Sequence, residues 1–293
     1  METTIVGEGL HFGEGPRWHD GQLWFSDFYD HAVKTFTPGG PIEIAFRLEG
    51  EHRPSGLGWL PDGRILVVSM LDRRILRREA DGKLNVHADL SAIATFHCND
   101  MVVDSKGRAY VGNFGFDLDP YLEEHGVEAA LGEPGPPKAT LARVDPDGSA
   151  HAAAPDMKFP NGSVVTPDGS TLIVAETLGL RLTAFRVGDD GSLHDRRVWA
   201  PLTIAPDGIC LDAEGAIWVA NPLAPEAIRV AEGGEVLDRV TTTQPCFACM
   251  LGGSDRRTLY CITAATSNAH EASAARTGRL EAVDVKVAGA GLP

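Results

Sequence analysis

Short apolar runs alternate along this chain with polar turns, and the same unit returns six times. Each unit is an apolar strand, a turn rich in Gly or Asp, and a second apolar strand; the copy that begins at Lys158 reads KFPNGSVVTPDGSTLIVAET. Turns of this kind between extended runs are typical of β-hairpins. When the copies are aligned on the turn, one residue has the same place in each of them. These residues are Glu14, Ser55, Asn99, Asn161, Asp207 and Phe247.

The spacing of these six positions predicts the fold. Successive positions are 41, 44, 62, 46 and 40 residues apart. A period of about 40 to 50 residues with roughly four strands in each unit is the signature of a β-propeller. The segments after each hairpin supply the outer strands, such as RRILRRE and KLNVHADL, which Asp81-Gly82 separates in the second unit. We therefore expect an all-β fold, a six-bladed β-propeller with four-stranded blades, as a single domain over residues 1–293.

The N-terminus is predicted to complete the sixth blade. That unit ends on GRLEAVDVKV, from Gly278 to Val287, and is one strand short. We expect METTIV at the N-terminus to fill the missing place. A ring closed by both termini leaves no unprotected sheet edge.

One repeat interval is longer than the rest, which indicates an insertion. The excess lies at about residues 116–138, after the third hairpin. Its middle, from Leu118 to Leu131, has a helical pattern, and its exit is rich in Pro and Gly. Loops this long in a compact domain are usually functional or disordered. The segment is interpreted either as a lid over one mouth of the channel or as a surface decoration.

The residues at the repeated position favour a metal site. In a propeller the innermost strands line a central channel, so the residue that opens each of them stands at one end of it. Four of the six positions carry a carboxylate or an amide: Glu14, Asn99, Asn161 and Asp207. Carboxylates brought together in a partly dry channel repel each other and are costly to bury. Arg17 or Arg53 can offset that cost, and a divalent cation does so better, because carboxylate and amide oxygens are hard ligands. An Asn at the start of a strand, taken singly, is also often a turn residue.

Composition narrows the function classes. The 293 residues carry a net charge of −15, which argues against binding to nucleic-acid phosphates. The sequence shows no apolar run of membrane-spanning length and no signal-peptide pattern at its N-terminus. Five cysteines without a paired framework fit a reducing, cytoplasmic setting. Cys246 and Cys249 are interpreted as buried structural thiols, with a redox or metal pair as the alternative. We expect a monomer or a weak homo-oligomer that acts on a small molecule.

Four motifs recur in order in the predicted units: GEGPRW at Gly13, CND at Cys98, PNG at Pro160 and PDGICLD at Pro206. Over essentially its whole length the chain resembles the senescence-marker-protein/gluconolactonase family, which includes regucalcin. The resemblance implies a six-bladed propeller with one divalent metal ion, held here by Glu14, Asn161 and Asp207. It places Asn99 against the substrate or against a water on the metal. Enzymes of this family hydrolyse lactones, often those of aldonic acids.

The chain departs from the sugar-lactone members at the predicted mouth. His97 stands where those members often carry an Arg, and Phe114 ends a Gly-Asn-Phe sequence where they often read Gly-Thr-Met. Phe247, with Phe96, Trp18 and Phe116, would make the mouth more apolar than a sugar requires. The metal ligands therefore match the family better than the sugar specificity does.

These residues predict a divalent-metal-dependent hydrolase that opens a lactone. Ca²⁺ is the first choice of metal, with Zn²⁺, Mg²⁺, Mn²⁺ and Fe²⁺ as alternatives. Asp207 is the predicted base for the attacking water, and Asn99 and His97 are predicted to donate to the developing oxyanion. Arg17 and Phe247 complete the predicted substrate contacts. Two other functions stay open: a non-catalytic calcium-binding regulatory protein, and another hydrolase or a lyase on the same scaffold.

Overall fold

Six antiparallel sheets of four strands form blades around a channel, and their innermost strands contact one another in a closed ring. The structure is a computed structural model that describes residues 1–50 and 52–290. The predicted six-bladed propeller is confirmed. From the innermost strand outward, the first three blades are β2 (Gly13–His19), β3 (Gln22–Asp27), β4 (Ala32–Phe36) and β5 (Ile42–Arg47); β6 (Pro54–Trp59), β7 (Ile65–Ser69), β8 (Arg74–Arg78) and β9 (Leu84–Asp89); and β10 (Cys98–Val103), β11 (Ala109–Asn113), β12 (Ala139–Val144) and β13 (Ala150–Met157).

The remaining blades follow the same order, and the last one joins the two ends of the chain. Their strands are β14 (Pro160–Val165), β15 (Thr171–Glu176), β16 (Arg181–Val187) and β17 (Leu193–Pro201); β18 (Ile209–Leu211), β19 (Ile217–Asn221), β20 (Glu226–Val230) and β21 (Val236–Thr241); and β22 (Cys246–Gly252), β23 (Thr258–Thr263) and β24 (Gly278–Asp284), completed by β1 (Thr4–Leu10). β1 pairs antiparallel with β24, with Thr4 opposite Ala282. The predicted closure by the N-terminal strand is confirmed, and the strand extends beyond METTIV to Leu10.

The hairpins form as the turn residues dictate. In the hairpin of β14 and β15, Asp168 Oδ1 accepts a hydrogen bond from the Ser170 amide at 3.0 Å, and the Gly169 amide donates to the Thr166 carbonyl at 2.8 Å. Gly169 has a φ of 71°, a conformation that costs other residues strain. Tight turns of this kind bring neighbouring strands into register, and the apolar faces of adjacent blades then pack against each other.

In the described ranges, two helices lie outside the blades. The insertion between β11 and β12 contains α1 (Leu118–Leu131), with the bounds that the sequence pattern predicts and a break in helical geometry at Gly126. Between β23 and β24 lies α2 (Ala269–Ala274), where Asn268 Oδ1 accepts from the amides of His270 and Glu271. A short 3₁₀ turn, Thr177–Gly179, follows β15. Within the described ranges, no helix combines the length and apolar character needed to cross a membrane.

All five cysteines lie in the described ranges, are buried, and form no disulfide. Cys246 and Cys249 both lie on β22. Cys249 Sγ lies 4.0 Å from Cys210 Sγ of the neighbouring blade. The interpretation as buried thiols is confirmed.

Candidate active site

Five of the six repeated positions line one cavity at an end of the channel. These are Glu14, Asn99, Asn161, Asp207 and Phe247, each less than a tenth exposed. The cavity has a volume of about 400 Å³, within the usual size of a small-molecule site. The sixth position, Ser55, is also buried but does not line this cavity, and its carbonyl accepts a hydrogen bond from Ser26 Oγ at 2.5 Å. The repeat phase therefore brings residues from five blades to one place.

A β-bulge follows the site residue in most of the innermost strands. In β2, Glu14 pairs with Ser26, and the register then shifts before Arg17 pairs with Trp24. The same shift occurs in β10, β14 and β22 directly around their site residues. A bulge bends the strand and re-aims the side chain beside it. In these strands the irregularity changes the direction of the side chains beside it, and the site residues line the cavity.

Glycine after the site residue lets neighbouring innermost strands approach closely. Gly162 follows Asn161, and a Cβ on it would lie 2.6 Å from the Asp207 carbonyl oxygen. Gly208 follows Asp207, and a Cβ there would lie 2.7 Å from Ala248 Cα. The chain carries this pairing four times, as Glu14-Gly15, Ser55-Gly56, Asn161-Gly162 and Asp207-Gly208. This repeated dipeptide is a signal in the sequence that the alignment on the turns does not use.

Two buried carboxylates, Glu14 and Asp207, lie close enough at the cavity floor to interact electrostatically. Burial is the largest cause that raises the pKa of Glu14 well above its ordinary value, and the charges of Asp207 and Asp100 add to it. Burial also leads the causes that raise the pKa of Asp207, followed by the charge of Asp100, while the Asn161 amide offsets part of the rise. Without a cation nearby, the ionised forms of Glu14 and Asp207 are destabilised at this place.

The polar atoms at the floor have the arrangement expected of metal ligands. Asp207 Oδ1 is buried and has no hydrogen-bond partner in the part of the chain that the structure describes. Asn161 Nδ2 donates to Thr177 Oγ1 at 3.3 Å, so its Oδ1 is the amide atom available to a ligand. Glu14 Oε2 accepts from the Gly15 amide at 3.1 Å. Hard oxygen donors with an unused buried atom fit a divalent cation.

The predicted donor set contains only two ionisable groups, Glu14 and Asp207. Over residues 1–50 and 52–290, no cluster of three or more His, Cys, Asp or Glu side chains is arranged to hold a metal ion. The predicted set of Glu14, Asn161 and Asp207 has an amide as its third member, and amide oxygens are ordinary ligands of Ca²⁺. The ligand assignment stays a prediction.

Arg17 does not line this cavity, and the substrate contact predicted for it stays a prediction. Its guanidinium donates to Asp100 Oδ1 at 3.1 Å and to the carbonyl of Met101. The Arg17 charge still acts on Glu14, where it is among the causes that lower the pKa of that carboxyl. Arg17 itself lines a separate cavity of about 20 Å³.

The other predicted substrate contacts line the main cavity. Asn99, His97 and Phe247 all face it. Burial leads the causes that lower the pKa of His97, and the charge of Arg53 adds to it, so the imidazole is neutral at pH 7. Of the further aromatic residues predicted at the mouth, Phe96 lines the cavity, whereas Trp18 stacks on Tyr260 at 5.7 Å far from it.

The cavity wall contains aromatic residues that the repeat alignment does not predict. They come from the segments next to the innermost hairpins and are Phe12, Phe28, Tyr29, Phe114 and Phe159. The insertion supplies part of the same wall through Leu118, Leu122 and Leu131 of α1. Phe116 lies beneath α1 instead, 6.2 Å from Phe159 between ring centres. The insertion thus covers the mouth that holds Glu14 and Asp207, as the lid interpretation requires.

The sequence profile of the SMP-30/Gluconolactonase/LRE-like region family matches residues 12–266. The chain belongs to this family. The match contains all the repeated positions, and the family resemblance predicted from the four motifs is confirmed.

Individual relatives of this SMP-30/gluconolactonase chain are distant. A 6-deoxy-6-sulfogluconolactonase of Pseudomonas putida is 30% identical over 44% of this chain and 45% of its own, so the chain matches less than half of that relative. Regucalcin of Oryctolagus cuniculus is 25% identical over 87% of this chain and 84% of its own. The solved structure of a calcium-binding protein, regucalcin, from Agrobacterium tumefaciens has a TM-score of 0.73 at 20% identity, covering 99% of this chain and 97% of that one. This last likeness shows the fold.

Proposed function

We propose that this protein is a divalent-metal-dependent hydrolase that opens a lactone. The observation that carries the proposal is the pair of buried carboxylates, Glu14 and Asp207, at the floor of a cavity of about 400 Å³. The match to the gluconolactonase family and the similarity to the 6-deoxy-6-sulfogluconolactonase of Pseudomonas putida support the proposal.

Glu14, Asn161 and Asp207 would hold the ion. Ca²⁺ is the first choice, because the donors are all oxygen and a regucalcin of the same fold is a calcium-binding protein. Zn²⁺, Mg²⁺, Mn²⁺ and Fe²⁺ are the alternatives. When bound, the ion would supply positive charge that polarises the lactone carbonyl and favours the charge that develops on its oxygen.

The chain's own residues would supply the proton transfers. Asp207, through the carboxylate oxygen that does not bind the ion, would accept a proton as water attacks the lactone carbonyl carbon. The bond between that carbon and the ring oxygen then breaks, and the proton passes from Asp207 to the departing alkoxide. Asn99 and the neutral His97 would donate hydrogen bonds to the developing oxyanion. Glu14 and Asn161 would act as ligands only.

A calcium-binding protein without catalysis is the second candidate, and the likeness to regucalcin favours it. It uses the same three ligands and needs no base. The cytoplasmic location and the monomeric or weakly associating state stay predictions from the sequence.

One experiment separates the two functions. The purified protein is stripped with a chelator, reloaded with each divalent metal in turn, and assayed on a panel of lactones and open-chain esters beside elemental analysis. We expect activity only with bound metal, and we expect Glu14→Gln to lose metal and activity together. Glu43→Gln is the matched control, because Glu43 is exposed on the outer strand β5. Metal binding without turnover of any substrate favours the second candidate, and full activity of the stripped protein rules out the metal-dependent mechanism.

A further inference from the structure

The cavity wall above Glu14 and Asp207 carries two groups of aromatic side chains. In the first group, the ring of Phe12 lies 4.8 Å from that of Phe247 and 5.3 Å from that of Phe28. In the second group, Phe114 lies 4.6 Å from Phe159 and 6.5 Å from Phe96. Rings at these separations are in contact and form continuous apolar surfaces.

The two groups face each other across the cavity. The first group belongs to the first and sixth blades, since Phe12 and Phe28 flank the β2–β3 hairpin and Phe247 lies on β22. The second belongs to the third and fourth blades, where Phe114 follows β11 and Phe159 precedes β14. In a ring of six, the first blade lies opposite the fourth and the sixth opposite the third. A molecule between them therefore meets aromatic rings on two sides.

The insertion closes a third side with aliphatic side chains. Leu118, Leu122 and Leu131 of α1 line the cavity and pack in one apolar cluster with Phe114 and Phe159. The half-buried state of these leucines leaves apolar area for a ligand to cover.

The charged side chains at this wall do not form an array for hydroxyl groups. Arg53 lies over the ring of Tyr29, 4.8 Å from its centre, and His97 lies against Phe96 at 4.0 Å. Asp117 and Asp119, at the start of the insertion's helix, also line the cavity, and the Asp119 carboxylate accepts a hydrogen bond from the backbone of Ala269. A polyhydroxylated ring in this space would set hydroxyl groups against phenyl and leucine side chains, where they lose their hydrogen bonds to water without replacement.

We infer that the substrate is a lactone with an apolar arm, an alkyl chain or an aromatic ring, instead of a polyhydroxylated sugar lactone. The lactone carbonyl lies at the floor near Glu14 and Asp207, and the arm lies between the two aromatic groups beneath α1. The lactone group in this inference rests on the proposed function, whereas the apolar arm rests on the residues of the cavity wall alone.

The first test is a turnover series with the metal-loaded protein. The probes are γ-lactones whose side chain grows from methyl to hexyl, beside glucono-δ-lactone. We expect kcat/KM to rise about three- to fourfold per added methylene until the cavity is filled, because each buried methylene contributes that much in binding. A flat series, or a higher kcat/KM for glucono-δ-lactone, overturns the apolar arm and leaves the lactonase proposal standing.

The second test measures binding, so that it decides even without turnover. The probes are γ-lactams with the same side chains, titrated calorimetrically. Affinity that rises with chain length supports the apolar arm even where no lactone is hydrolysed, an outcome that would remove the lactonase proposal alone. Affinity independent of chain length overturns the apolar arm.

Substitutions in the cavity wall test where the apolar arm of the substrate binds. Phe114→Asn and Leu122→Ala are expected to lower kcat/KM for the hexyl lactone at least tenfold, mainly through KM, and to leave the methyl lactone within about twofold. Val86→Ala, at a side chain 56% exposed on the outer strand β9, is the matched control and is expected to change neither substrate. Equal losses on both substrates in both wall variants contradict the proposed position of the arm.

Discussion

The Arg17 guanidinium is paired with the Asp100 carboxylate, with 3.1 Å between Nη2 and Oδ1 and both side chains buried. This pair lies next to the site, because the charge of Asp100 contributes to the raised pKa of both Glu14 and Asp207. Arg17 is thus used to neutralise a carboxylate of the protein, and the cavity floor keeps its two other carboxylates for a cation.

Replacing Arg17 by Met is expected to destabilise the fold. The substitution leaves Asp100 as a buried charge without its partner, a loss of about 3–5 kcal/mol in the free energy of unfolding. Urea denaturation measures it, and a second substitution, Asp100→Asn, is expected to restore part of the loss. A variant that keeps its stability but loses affinity for substrate would return Arg17 to the role that the sequence suggested.

Asp207→Asn separates the ligand from the base. An amide still offers an oxygen to a metal but cannot accept a proton, so we expect part of the metal to remain while kcat falls by about 10²–10⁴. Metal content by elemental analysis and kcat on the preferred lactone are the two measurements. Activity equal to that of the parent protein removes Asp207 from the base role.

Asn99→Ala is the companion variant on the substrate side. Asn99 is predicted to donate to the oxyanion and not to bind the metal, so its loss should lower kcat by roughly 10²–10³ and leave metal content nearly unchanged. If the metal is lost together with the activity, Asn99 is a ligand and the predicted set must be extended.

Gly162→Ala tests the close approach of the innermost strands. The added Cβ would lie 2.6 Å from the Asp207 carbonyl oxygen, and backbone on both sides has to move, which costs about 1–3 kcal/mol. Because Asn161 and Asp207 adjoin this contact, we expect metal affinity to fall as well. Gly169→Ala in the same hairpin is the control: its Cβ meets nothing within 4 Å, so it should lower stability through its φ of 71° alone and leave metal affinity intact.

The fold and the polar floor of the site could be predicted because both follow from the repeat. Strand and turn patterns set the period, and residues at one phase of a closed ring must meet, which brings Glu14, Asn161 and Asp207 together without any contact being known beforehand. The aromatic residues of the cavity wall do not recur at one position of the repeat. Phe12 and Phe159 lie in segments outside the strands, where local sequence does not indicate which way a side chain points.

The placement of Arg17 shows a second limit. Arg17 lies three positions after Glu14 in the sequence, and the bulge between them shifts the register of β2. The parity of a strand, which predicts the direction of its side chains, is lost across a bulge. Proximity in sequence therefore does not indicate which partner a side chain takes, and Arg17 pairs with Asp100 instead of lining the main cavity.

The Glu176 carboxylate stabilises the hairpin that carries Asn161 through hydrogen bonds. Because its pKa is shifted in the folded protein, the stability of the fold depends on pH. The side chain is fully buried at the end of β15 and accepts from the Lys158 amide at 2.7 Å and from Arg181 Nε at 3.0 Å. Burial alone would raise the pKa of Glu176, but these hydrogen bonds and that of Thr183 outweigh it and lower the pKa below its ordinary value of 4.5.

The sign of this shift sets the expected result for Glu176→Gln. A carboxyl whose pKa is lower in the folded protein stabilises the fold above its unfolded pKa, and that contribution is lost as the pH falls through the folded pKa. The variant is therefore expected to unfold more easily than the parent by about 1.5–3 kcal/mol at pH 7, the value of hydrogen bonds to a charged group. The difference should shrink as the pH falls below about 4.5. Urea denaturation across this range measures it, and a difference that stays constant from pH 7 to pH 3 would show that Glu176 stabilises the hairpin by packing and not by its charge.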